Sequence, residues 1–218
     1  MQSSILKVGF ILVMMLALNF ANAQNFEGEI IYEGKLIDQS KIVEKEDMDS
    51  ESDSLRLSLK LIFQKDRYKM IFSARDSILS ILVYNPQDKL VTEIRGLKNT
   101  VTHDARKNDD KFGDLVYLDQ RELIHGIPCQ TIRVKSEQAS LAFSSDIIYF
   151  YNRNYFKINP QFFEHHEKYF LNHYARAVKV LPLKMRVNAG LFMIEYTMVD
   201  YKNRKVKSKE FDLKLNND

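Results

Sequence analysis

The chain of 218 residues is 45% hydrophobic, 28% charged and 11% aromatic, with seven Gly, four Pro and a single Cys. These proportions exclude a disordered tail, a collagen-like repeat and a disulfide-stapled miniprotein, and leave one domain with enough apolar surface for a sizeable core. A formal charge of +3 is too small to indicate a nucleic-acid partner.

Met1 to Ala23 reads as a secretory signal peptide. Lys7 and the amino terminus form a short positive region, Val8 to Leu18 is almost wholly apolar, and Ala21-Asn22-Ala23 fits a small-residue cleavage site. Cleavage is expected before Gln24, and the apolar run falls short of the roughly 20 residues a membrane-spanning helix needs. The expected product is exported to the periplasm or cell exterior, soluble once cleaved near Ala23, and not an integral membrane protein. Residues 24–218 then form a single β-rich domain. Its one Cys leaves no intramolecular disulfide in an oxidising compartment, so the core must supply the stability.

Within that domain the charge is uneven. Residues 37–54 hold Asp38, Glu44, Glu46, Asp47, Asp49, Glu51 and Asp53 against Lys41 and Lys45. A Ser-rich acidic stretch with so few apolar residues reads as a mobile loop.

Strand signals flank it. Phe26 to Tyr32 is an opening strand in which Gly28 marks a bulge or close packing. Leu55, Leu57, Leu59, Leu61 and Phe63 then alternate with Arg56, Ser58, Lys60 and Ile62. Period two gives one buried and one wetter face. Gln64 to Arg67 turns the chain into Tyr68, Met70 and Phe72, which predicts an antiparallel hairpin. Further strands are expected at 78–84, 90–95, 115–118, 130–135, 146–151, 183–188, 191–201 and 206–213. Turn signals separate them, among them Asn85 to Asp88, the polar stretch 106–114, and Gly126-Ile127-Pro128.

Helix signals concentrate at 159–178. Asn159 suits the N-cap and Pro160 the first helical position; Ile158 and Phe163 are spaced as a hydrophobic staple. Phe163, Phe170, Tyr174 and Ala177 mark an apolar stripe, and Arg176 and Lys179 suit the C-terminal dipole. The predicted class is α+β, mostly β: a curved antiparallel sheet or unclosed half-barrel with one amphipathic helix packed on its concave side.

Chemistry-bearing residues are few. His165, His166 and His173 cluster near Glu164 and Glu167, but a zinc helix needs two His four residues apart. Seven residues of helix separate His166 from His173 by roughly 10 Å, too far for one ion. Packing is therefore the expected role, with no metal and no cofactor. The alternating acids Asp47, Asp49, Glu51 and Asp53 resemble a calcium loop but carry Ser52 and Ser58 where such a loop needs Gly and Glu. Cys129 reads as a small buried hydrophobe. No nucleophile elbow, phosphate-binding Gly loop or dinucleotide fingerprint occurs. The basic residues Arg204, Lys205, Lys207 and Lys209 read as a solvated strand face rather than a nucleic-acid site.

Phe26-x-Gly28-x-Ile30-x-Tyr32 directly after a signal peptide resembles the opening strand of outer-membrane lipoprotein carriers, the LolA/LolB-like superfamily. Gly126-x-x-Cys129, and Leu181-Pro182-Leu183-Lys184-Met185 ahead of Gly190, look like the middle and late signatures of uncharacterised secreted relatives, including the GLPGLI type. Val180-Leu181-Pro182-Leu183 lacks that type's two glycines. The resemblance implies an antiparallel sheet curled into an unclosed barrel, helical segments over its open side, and acyl-chain binding without catalysis.

The residues themselves supply the candidate ligand contacts: Leu57, Leu59, Leu61, Phe63, Tyr68, Met70 and Phe72 on one hairpin, and Leu183, Met185 and Val187 on a late strand. Met and aromatic side chains adapt to an acyl chain, and they fill a core equally well. The leading expectation is a non-enzymatic exported protein that binds a lipid or other apolar ligand, in envelope maintenance. The alternative is a structural or protein-interaction module that meets an envelope protein through its acidic loop or a strand edge. An enzyme built on the histidine cluster is the third reading.

Overall fold

Alternating apolar and polar residues build one continuous sheet. A computed structural model describes residues 25–38, 56–96, 99–108, 110–137, 146–189 and 192–213. The expected signal peptide, its cleavage site and the calcium-like acids lie outside these residues. So does most of the expected acidic loop, although Ile37 and Asp38 belong to the first strand rather than to a loop.

Eleven strands follow in chain order: β1 Gly28–Asp38, β2 Leu57–Gln64, β3 Arg67–Ala74, β4 Ser77–Asn85, β5 Leu90–Arg95, β6 Asn99–Asp104, β7 Lys111–Ile124, β8 Ile127–Glu137, β9 Ile147–Tyr151, β10 Lys184–Ala189 and β11 Phe192–Asn203. The spatial order is β6-β5-β4-β3-β2-β1-β11-β10-β9-β8-β7, every pair antiparallel. The two free edges, β6 and β7, are joined by the short stretch between Asp104 and Lys111. Seven Cα steps can bridge no more than about 25 Å, so the sheet must curl until its edges approach at that end. The result is the expected α+β, mostly β architecture: an unclosed half-barrel.

The chain between β9 and β10 packs on the concave side. A 3-10 turn at Pro160–Phe163 begins as predicted, with the Asn159 side chain accepting from the Gln161 N–H and Pro160 following it. The expected continuous helix does not form. A second 3-10 turn, Lys168–Phe170, precedes the helix α1, Leu171–Val178, and Tyr169 and Phe170 between them adopt left-handed backbone. The cause lies in where the backbone donors go. The N–H groups of Glu167 and Lys168, which a helix would bond internally, both donate to the Ala105 carbonyl in the β6–β7 link. This segment therefore plugs the gap between the edges while burying Phe163, Phe170 and Tyr174.

Four further expectations from the sequence need correction. β6 was not anticipated, because Asn99–Asp104 is polar and mostly exposed, as edge strands commonly are. Ile127 and Pro128 lie inside β8 rather than in a turn, and β7 is far longer than 115–118. The register between β7 and β8 shifts at 118–122, and beyond it the hairpin folds over the outer face of the sheet: Glu122 reaches Lys184 at 2.7 Å, and His125 Nε2 donates to the Met198 carbonyl at 2.6 Å. Finally, 206–213 is no strand but a loop with a 3-10 turn at Ser208–Phe211. It places Val206 and Phe211 against Ile62, Ile81 and Val83 on the outer face of β2 and β4.

Between these covers, the outward Glu29 is paired with Lys60, Lys202 and Arg204. Burial alone would raise its pKa, but hydrogen bonds and charge from Lys60 and Arg204 outweigh that and hold the carboxyl below its usual range. No helix among the described residues is long and apolar enough to cross a membrane.

Candidate functional site

Register sorts the inward side chains into rows that cross the strands. One row runs Tyr84–Tyr68–Phe63–Gly28, the next Leu82–Met70–Leu61–Ile30, then Phe72–Leu59–Tyr32–Met198. Further along, the rows are Ala74–Leu57–Gly34–Tyr196–Met185–Tyr149 and Leu36–Ile194–Val187–Ile147. Moving along β1 from Gly28 toward Asp38 thus carries the inner face from one end of the half-barrel to the other.

The first end is filled. Phe163 of the plug stacks among Phe63, Tyr68 and Tyr84 at centroid separations of 6.0 to 6.4 Å. His166, which has no exposed surface, sits 2.8 Å from the Tyr68 hydroxyl through Nε2 and 3.1 Å from the Lys168 carbonyl through Nδ1. A carbonyl can only accept, so Nδ1 carries the proton and the Tyr68 hydroxyl donates to Nε2. Burial disfavours the imidazolium and brings the His166 pKa down to about 4, so the ring is neutral at ordinary pH. Gly28 is required here, because a Cβ on it would fall on the Lys202 carbonyl oxygen and its φ of +154° suits no other residue.

The second end is only partly filled. Leu36, Ala74, Met185, Val187, Ile147 and Ile194 are half-buried, as is Leu171 of α1 above them. No charged side chain stands in the last two rows. Gly34 shapes this mouth: a Cβ there would stand 2.6 Å from Leu57 Cβ and 2.8 Å from the Tyr196 ring. With no side chain beneath it, the Tyr196 ring lies across β1 and meets Phe72 edge-on at 6.3 Å.

The ten residues singled out from sequence divide between these ends. Leu57, Leu59, Leu61, Phe63, Tyr68 and Leu183 are buried in the main core. Met70, Phe72 and Met185 pack against that core half-exposed, and Val187 is half-exposed in the mouth. Missing from the sequence reading were Gly34, Leu36, Ile194 and Leu171. The period-two run Ile30, Tyr32, Gly34, Leu36 was the available signal for two of them.

The other chemical candidates stay apart. His165 is exposed, while His173 stacks on Phe112 at 3.8 Å and 8° and stands 3.8 Å from Glu167. Among the described residues no three His, Cys, Asp or Glu side chains are grouped to hold a metal ion. Cys129 is buried under the β7–β8 hairpin, its thiol donating to the Ile127 carbonyl at 3.4 Å; burial and the Glu122 charge push its pKa up to about 11. Beside it, Lys184 is buried between Glu122 and Glu195, with Arg186 sharing both carboxylates. Lys184 and Arg186 both lie over the Phe150 ring. These contacts fasten the hairpin to the sheet.

No protein-family model matches the chain, and no curated protein matches it.

Proposed function

We propose that the protein is a non-enzymatic exported binder of an apolar chain, the acyl tail of a lipid or lipoprotein, which enters the mouth over Met185, Val187, Ile194 and Ala74. One observation carries this reading: the inner face changes from sealed to half-buried along β1, β3 and β11, and the less buried part is uncharged. Half-burying that many apolar side chains forfeits stabilisation of about 25 cal/mol per Å² left in water, which a bound acyl chain would recover. Met70 and Met185 are unbranched and adapt to chains of different shape.

Eleven antiparallel strands, an open seam and a plug on the concave side agree with what the resemblance to lipoprotein carriers implies, and the proposal includes that kinship. It also includes action outside the cytoplasm, after loss of residues 1–23, in maintenance of the cell envelope. The neutral, fully buried His166 and the high-pKa Cys129 are poor starting points for catalysis, which supports binding over turnover.

Titration with the fluorescent fatty acid dansylundecanoate tests the reading. Saturable enhancement is expected, lost in Met185→Glu and Val187→Asp with the circular dichroism spectrum unchanged. Absence of enhancement, or full binding by both variants, would overturn it. The interaction-module alternative rests on the free outer edge of β6, which exposes Val101.

A further inference from the structure

The two edges of the sheet are built differently. Native edge strands avoid pairing with other chains by means of charges, bulges or proline. β7 has the first two: its register against β8 shifts between Phe112 and Asp114 and again between Leu118 and Glu122, and Lys111, Asp114, Asp119 and Arg121 are exposed along it. β6 has none of them. It pairs with β5 in unbroken register, from Leu90 opposite Asp104 to Arg95 opposite Asn99, and Asn99 to His103 include no Pro, Gly, Lys, Arg or carboxylate. The one carboxylate of the strand, Asp104, is neutralised within the chain by Arg106, whose Nε and Nη2 donate to Oδ1 and Oδ2 at 2.8 Å.

Among the described residues no strand pairs with the far side of β6, and Asn99, Thr100, Val101 and Thr102 are all exposed. Such an edge presents backbone N–H and C=O groups of alternate residues as a template for another strand. Apolar surface borders it on the inner side. Val101 shares the inner face with Leu82, with Glu93 between them, and is 36% exposed. Tyr169 of the plug is 49% exposed and close enough to Glu93 and Arg95 for their charges to act on its hydroxyl.

The sequence of β6 is its own complement. A two-fold axis normal to the sheet sets a second β6 antiparallel to the first and keeps inner face beside inner face, so the axis must pass a residue that meets itself. With Val101 on the axis, Val101 meets Val101, Thr100 meets Thr102 and Asn99 meets His103. Pairs of β-branched residues and of threonines stabilise antiparallel strands, and no like charges are opposed.

We infer that β6 is a self-association edge: two copies of this chain pair β6 to β6 in that register, which joins their half-barrels through one continuous sheet. Each β6 is consumed by the other, and the guarded β7 edges stop further growth, so the assembly closes at two. This assigns an occupant to the edge on which the interaction-module reading rests, and it is independent of acyl binding.

Sedimentation velocity of the purified protein tests the association. A reversible monomer–dimer equilibrium is expected, the dimer increasing between about 10 µM and about 1 mM, in keeping with a contact smaller than a standard interface. Val101→Lys places two ammonium groups at the axis and should weaken the dimer at least about tenfold, with melting temperature and dansylundecanoate binding unchanged. Oxidative cross-linking reads the register. Opposed Cα atoms in an antiparallel pair stand about 4.5–5.5 Å apart, within disulfide reach, whereas Thr100 lies a diagonal step of about 7–8 Å from Thr100 of the second copy, beyond it. Val101→Cys should therefore form a covalent dimer by itself, and Thr100→Cys only when mixed with Thr102→Cys; the buried Cys129 stays out of the reaction. The inference is overturned if the wild-type protein is monomeric at about 1 mM, if Val101→Lys associates as tightly as wild type, if Thr100→Cys alone cross-links as readily as Val101→Cys, or if species larger than a dimer accumulate. Fatty-acid titration of the monomeric Val101→Lys variant reads the mouth alone, so failure of either proposal leaves the other to be judged separately.

Discussion

At the Gly28 end of β1 the inner face meets a stack of rings from the plug, whereas toward Asp38 the same alternation faces an uncharged mouth that the plug only overhangs. Phe63, Tyr68, Tyr84, Phe163 and His166 lock together at the first end. Ala74, Met185, Val187 and Ile194 stay half-exposed at the second. The contrast shows how a single sheet without disulfides can concentrate packing at one end and leave the other less fully packed. The aromatic end holds the densest ring packing, and the aliphatic end is the proposed binding mouth.

The sharpest way to break that contrast is to empty the filled end. Phe163→Ala should cost about 3–5 kcal/mol in urea unfolding, and a loss no greater than that of a mouth substitution would erase the distinction. Acid acts on the same end. His166 has a folded pKa near 4 against about 6.5 unfolded, so the unfolded chain binds the extra proton and stability falls as pH drops from about 6.5 to 4. The loss approaches about 3 kcal/mol, and His166→Gln should flatten that part of the wild-type pH profile. At the mouth, Gly34→Val should cost about 1–3 kcal/mol by forcing the Tyr196 ring off β1, read as a lowered melting temperature together with weakened fatty-acid binding. Met70→Ala, from a half-buried site, should cost about 1 kcal/mol. A larger loss at Met70 than at Phe163 would reverse the assignment of the two ends.

Much of the inner face was readable because its signal is local. Leu57 to Phe63 and Tyr68 to Phe72 alternate so regularly that hairpin, register and buried face follow together, and the structure pairs Phe63 with Tyr68. β6 escaped because an edge strand with one free side needs little apolar content. The broken helix escaped for a different reason. Phe163, His166, Phe170 and Tyr174 are spaced as a helical stripe, and only the distant Ala105 carbonyl, by taking two backbone donors, interrupts it. The Tyr68–His166 bond and the ring of Tyr196 over Gly34 join positions far apart in the chain, so no window of sequence contains them.

The order of strands also governs how the chain can assemble. β1 to β6 pair each with the next, and so do β7 to β9; β10 and β11 form a further hairpin beyond the plug. The one pairing between the two ends of the chain is the antiparallel seam of β1 with β11, Gly28 opposite Asn203. Two meanders rich in local contacts can therefore form early and separately, while the seam must wait for a loop closure spanning almost the whole domain. The topology predicts that the half-barrel folds by zipping two formed halves together, with the meeting of the first strand and the last as the slow step.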